Sequence, residues 1–117
     1  MKINYLAFEV AAINSLVVHA NTNADDTAGI FGQKDDWETG FIPIDTDSQD
    51  HDIFYWLIKS RQNQEIAPLV IWLTGGPGCS SEVGIFYENG PWRFDDGDGI
   101  KENPYTWNTV ANMLFID

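Results

Sequence analysis

Residues 68–73 (PLVIWL) form an apolar run without alternation, the pattern of a strand buried on both faces as in a parallel sheet. TGGPG follows, then Ser80 and Ser81, then eight residues with a mostly apolar face, closed by Gly90 and Pro91. That order predicts strand, glycine turn, helix N-cap and a helix over 81–89, with the two serines as capping residues. Upstream, residues 37–44 (WETGFIPI) and 53–59 (IFYWLIK) carry strand-type residues, and Gly40 is placed for a bulge. The Asp-rich stretch 45–52 between them reads as a polar turn, which makes the pair an antiparallel hairpin. Residues 60–67 read as a polar loop. Residues 91–94 read as a short edge segment, 95–99 (DDGDG) as a tight turn, and Asn103–Pro104 as the start of another. Residues 111–117 (ANMLFID) are a fourth strand. The chain stops in or beside that strand with nothing to cap it, which predicts a fragment of a longer domain.

Composition narrows the class. The 117 residues are 44% apolar and include five tryptophans, so this chain expects a packed core. Six Lys and Arg stand against eighteen Asp and Glu, a net charge of −12. That balance argues against nucleic acid or an anionic membrane as partner. No apolar run is long enough to span a bilayer. Residues 1–20 have the order of a secretory signal: Lys2, an apolar stretch over 11–18, and small residues ending at Ala20. Glu9 and Asn14 interrupt it, and an amphipathic N-terminal helix fits the same residues. Residues 21–36 read as a flexible acidic leader. The foldable part is 37–117.

The glycine turn is the candidate for chemistry. Gly75, Gly76 and Gly78 let the backbone turn sharply or approach a ligand closely. Amide N–H groups there, beside a helix start, form a main-chain pocket for an anion. It is not a phosphate loop, because no Lys follows Gly78, and G-x-G-x-x-G is broken at Ser81. A nucleophile elbow starting at Gly78 fails at Glu82. The Asp-rich turns lack the Gly and Glu positions of an EF-hand, and His19 and His51 are too few and too scattered for a metal site. No cofactor and no metal is called for. Glu88 stands out because it follows Ile85, Phe86 and Tyr87 at the C-terminal end of the predicted helix, where the macrodipole disfavours negative charge. Such a breach of local rules is most often tolerated at functional sites.

WLTGGPGCSSEVGIFYENGP followed by NPYTWNTVANMLFID resembles the N-terminal part of the serine carboxypeptidase family, and TGFIPI and IFYWLIKSR are similar to its first two strands. The resemblance covers about residues 38–117. It implies an α/β-hydrolase fold, of which this chain holds the antiparallel hairpin, the strand–turn–helix and a further strand, in the spatial order one, two, four, three. It implies release of single residues from peptide C-termini by a Ser-Asp-His triad, in the secretory pathway, a lysosome or vacuole, or outside the cell. By the resemblance, Gly76 is the oxyanion-hole glycine. Thr74, Gly75 and Glu88 hold the substrate carboxylate, with Glu88 donating in its acid form. Thr74 is a departure, since the family usually has Asn there. Cys79, the one cysteine, matches a family cysteine bridged to a partner outside this chain. The partner the resemblance implies is a peptide C-terminus.

The triad itself is missing: no serine here sits in an elbow, and His51 lies in the early hairpin turn. Three readings stay open: part of an active serine carboxypeptidase, part of a family member doing acyl transfer on the same fold, or an inactive truncated product. If a fifth strand pairs with 68–73 in the family, that run is an apolar edge here, with Trp72 and Phe115 short of cover.

Overall fold

A computed structural model describes residues 35–46, 49–95, 97 and 99–117. The expected signal over 1–20 and most of the expected leader lie outside the described residues. Two long strands open the fold, β1 (Trp37–Thr46) and β2 (Gln49–Ile58), paired antiparallel from Trp37↔Ile58 to Thr46↔Gln49. The Asp-rich stretch predicted as a wide turn is therefore mostly strand. The backbone ladder outweighs the poor strand propensity of Asp. Gly40 pairs in regular register with Tyr55, so it makes no bulge. What excludes a side chain there is the Tyr55 ring, whose atoms would lie 2.7–2.9 Å from an added Cβ.

The apolar run becomes β3 (Leu69–Trp72), and the last strand is β6 (Asn112–Ile116). β6 pairs antiparallel with β2 and parallel with β3, giving a mixed four-stranded sheet in the order β1-β2-β6-β3. Between β3 and β6 lie the helix α1 (Glu82–Tyr87), the strands β4 (Trp92–Asp95) and β5 (Gly99–Glu102), and a 3-10 turn (Trp107–Thr109). β4 and β5 form a separate antiparallel hairpin in which Phe94 faces Ile100. The expected tight turn connects them, with Gly97 and Gly99 at positive φ, but the strand after it was not foreseen.

One face of the sheet carries the core. Trp56, Ile58, Met113 and Phe115 pack with Ile85 of α1 and Trp92 of β4. Trp56, Phe86 and Trp92 form an aromatic cluster with ring centroids 5.8–6.3 Å apart. Here the structure corrects an expectation. Phe115 is 1% exposed and fully covered. Trp72 is half-buried, edge-on to Trp107 at 5.6 Å. Apolar surface is left open on the other face of β3, where Leu69 and Ile71, with Leu73 just beyond, are 46–67% exposed. Strand alternation explains this: Val70 and Trp72 turn to the helix side, so their neighbours turn away.

The described fold begins before Trp37. Asp35, its side chain 2% exposed, receives a two-pronged pair from Arg61, with Nε 2.7 Å from Oδ1 and Nη2 2.9 Å from Oδ2. Asn108 donates to the same Oδ1 at 2.8 Å. Asp36 accepts from the Lys59 amide at 2.8 Å and pairs with its ammonium. These bonds fasten the approach to β1 onto the end of β2 and the 3-10 turn.

Candidate active site

The glycine turn joins the C-terminal end of β3 to the start of α1. Its residues differ in what they tolerate. A Cβ at Gly76 would lie 2.9 Å from the amide nitrogen of Gly78 and 3.1 Å from that of Cys79, so the turn closes only around glycine. Gly78 has φ +85°, a conformation side chains rarely adopt. Gly75 is different, with no heavy atom within 4 Å of an added Cβ. Gly75 and Gly76 are both exposed, and their N–H groups donate to no other described residue. Two adjacent open amides at a strand end are what a main-chain anion pocket requires.

Only one of the two serines caps the helix. Ser81 occupies the N-cap position, but with φ −69° and ψ −13° its side chain makes no cap hydrogen bond. Its hydroxyl instead accepts from the Thr74 amide at 3.1 Å, tying the turn's entry to the helix start. Ser80 takes the capping role, accepting from the Glu82 amide at 3.1 Å. The tie from Ser81 spans seven residues across a glycine turn, which no sequence spacing signals. Trp72 supports the same junction, since a Cβ at Gly84 would lie 2.6 Å from its Nε1.

Thr74 is half-buried, and its hydroxyl has no open surface and no hydrogen-bond partner among the described residues. Glu88 sits at the other end of α1, as its C-cap, with φ −128° and ψ −95°. It is exposed, and Tyr87 beside it is 69% exposed. The apolar enclosure suggested by its sequence neighbours is not built by the described residues, because Ile85 turns into the core. Glu82, on the first turn of α1, has a raised pKa. Burial raises it above 4.5, and the nearby Asp117 charge adds to the effect. Cys79 is a free, exposed thiol.

Sequence comparison places the chain in a family. The family model described as serine carboxypeptidase matches residues 31–117. The chain belongs to the serine carboxypeptidase family. A carboxypeptidase Y homolog A from Pyrenophora tritici-repentis is 45% identical over 74 residues, which cover 63% of this chain and 14% of that protein. Serine carboxypeptidase-like 49 from Arabidopsis thaliana is 51% identical over 65 residues, covering 56% of this chain and 12% of that protein. Among solved structures, Kex1(delta)p, a prohormone-processing carboxypeptidase from Saccharomyces cerevisiae, superposes with a TM-score of 0.60 at 35% identity. That match covers 69% of this chain and 18% of that chain. The chain thus spans roughly one seventh of the length of the Pyrenophora relative, 14%. The family resemblance drawn from GGPGCSS and the strings around it holds, and the fold is of the α/β class with a mixed sheet.

Proposed function

We propose that this chain supplies the oxyanion and carboxylate-recognition part of a serine carboxypeptidase active site, within an α/β-hydrolase sheet completed by further chain. The observation that carries the reading is the pair of open amides at Gly75 and Gly76. The Gly76 N–H points to the tetrahedral oxyanion, where charge develops during acyl transfer. The Gly75 N–H, Glu88 and Thr74 receive the terminal carboxylate of a peptide. Only the acid form of Glu88 can donate to a carboxylate, since the ionised form repels it. The nucleophile and its base come from residues outside this sequence, as does the cysteine to which Cys79 bridges. The protein works in the secretory pathway, a lysosome or vacuole, or outside the cell.

The test uses the full-length protein carrying this segment. A blocked dipeptide with a free C-terminal carboxylate is cleaved, and a serine-reactive phosphonate abolishes cleavage. Hydrolysis that survives the phosphonate would contradict the reading. Thr74 in place of the usual Asn, with its hydroxyl turned inward, favours keeping acyl transfer as a second reading. Turnover of acyl-sugar donors without peptide hydrolysis would select it.

A further inference from the structure

The helix that ends at Glu88 does not hold its own exit. Gly84 O accepts from the amides of Asn89 and Gly90, which closes the last turn. The carbonyls of the four residues that follow α1, 88–91, take their donors from outside the helix. All four find them in one short segment, residues 103–107. Asn103 Nδ2 donates to Gly90 O at 2.8 Å and to Glu88 O at 3.4 Å. The Asn103 amide donates to Pro91 O at 2.7 Å, and the Trp107 amide to Asn89 O at 2.9 Å. Thr106 Oγ1 also lies 3.2 Å from Asn89 O.

This segment is itself fixed. Asn103 and Thr106 are 7% and 3% exposed. Asn103 Oδ1 accepts from the Tyr105 amide at 3.0 Å, which locks its side chain so that Nδ2 faces the carbonyls. Thr106 Oγ1 lies 2.6 Å from Oδ1 of the fully buried Asn108, whose Nδ2 donates to Asp35 and to Lys59 O. A chain of bonds thus runs from the start of β1 to the backbone of Glu88.

We infer that Asn103 is a positioning residue for substrate-carboxylate recognition, acting through the backbone of Glu88. The inference rests on the reading of Glu88 given above. Glu88 is exposed, and its carboxyl makes no hydrogen bond or ion pair with another described residue. Its carboxyl is therefore placed only as well as its backbone is. Freed of the clasp, the exit of α1 gains alternative conformations, and Glu88 spends less time where a terminal carboxylate docks. The oxyanion turn lies at the other end of α1 and is tied separately through Ser81 to Thr74.

That separation gives the test. In the full-length protein, kcat/KM is measured for one blocked peptide ending in a free carboxylate and for the same peptide ending in an amide. Asn103→Asp keeps the acceptor for Tyr105 but removes the donors to Glu88 and Gly90. Asn103→Ser, too short to reach Gly90, is the milder second variant. The expected result is a loss of carboxylate-over-amide preference of about tenfold, the scale of one net hydrogen bond at the upper end, with amide hydrolysis retained. Glu88→Ala, which removes the carboxyl altogether, is the reference and should lose the same preference. Equal loss on both peptides, no loss on either, or failure of both Asn103 variants to fold would overturn the inference. If Glu88→Ala itself leaves the preference intact, the carboxylate reading fails first, and the inference with it.

Discussion

At the scale of single residues, the site depends on glycines for reasons of space more than of flexibility. Gly84 is the sharpest case. An alanine there raises helix propensity by about 1 kcal/mol, yet its methyl would meet the Trp72 indole at 2.6 Å and Phe115 at 3.1 Å. Neither ring is free to retreat, so overpacking dominates, and Gly84→Ala should destabilise by about 1–3 kcal/mol. A denaturant midpoint equal to or above the parent's would show that the junction of β3 and α1 is looser than described. Glu82 makes a prediction in pH. Its folded pKa is raised above 4.5, first by burial and then by Asp117. A carboxyl raised on folding weakens the native state once it ionises, and the penalty is absent below the unfolded value. Glu82→Gln should therefore raise the Tm of the full-length protein at pH 7. The gain should shrink as pH falls through the raised pKa and vanish below about 4.5. A gain independent of pH would point to packing instead of charge.

At the scale of elements, much of the fold was legible where one physical signal acted alone. PLVIWL read as a strand and is one, because an unbroken apolar run between a polar loop and a glycine turn fits little else. ANMLFID likewise became β6. The β4–β5 hairpin was half seen: DDGDG signalled its turn, but GIKE holds a single apolar residue, Ile100, and pairing with Phe94 decides its state. The Asp-rich end of the first hairpin was read by composition and settled by the ladder. In the proposed site, Gly75, Gly76 and Glu88 were singled out from motif and position. The clasp by residues 103–107 was not, since its donors serve carbonyls 12–18 positions away in sequence, and backbone acceptors carry no residue signature. Asn112 is another such residue, visible only in three dimensions. Its Oδ1 accepts from the amide of the buried Ser60 at 2.8 Å, and its Nδ2 donates to Gln64 O and Ala67 O. Asn112→Leu leaves the Ser60 amide buried without this acceptor. A cost of about 1–3 kcal/mol is expected, with faster hydrogen exchange confined at first to residues 60–67. Unchanged exchange there would contradict it.

At the scale of the molecule, β3 is an edge of the described sheet and carries Leu69 and Ile71, with Leu73 just beyond, exposed on one face. Among residues 68–81 there is no charged side chain to discourage pairing with another chain. A net charge of −12 opposes association at low salt. At physiological ionic strength that repulsion is screened beyond about 8 Å. The isolated 117-residue chain should therefore associate more as salt rises, with size-exclusion chromatography across a salt series as the readout. A monomeric peak at physiological salt with a cooperative unfolding transition would mean that the open face of β3 needs no further cover.

The central claim is that Glu88 receives the substrate carboxylate beside an oxyanion site at Gly76. The most direct measurement is kcat/KM for a peptide ending in a free carboxylate, relative to the same peptide ending in an amide, in the full-length protein and its Glu88→Ala variant. If Glu88 donates to the carboxylate, the variant should lose about tenfold of the parent's preference, the scale of one hydrogen bond to a charged group, with amide hydrolysis retained. An unchanged preference would remove Glu88 from the carboxylate site.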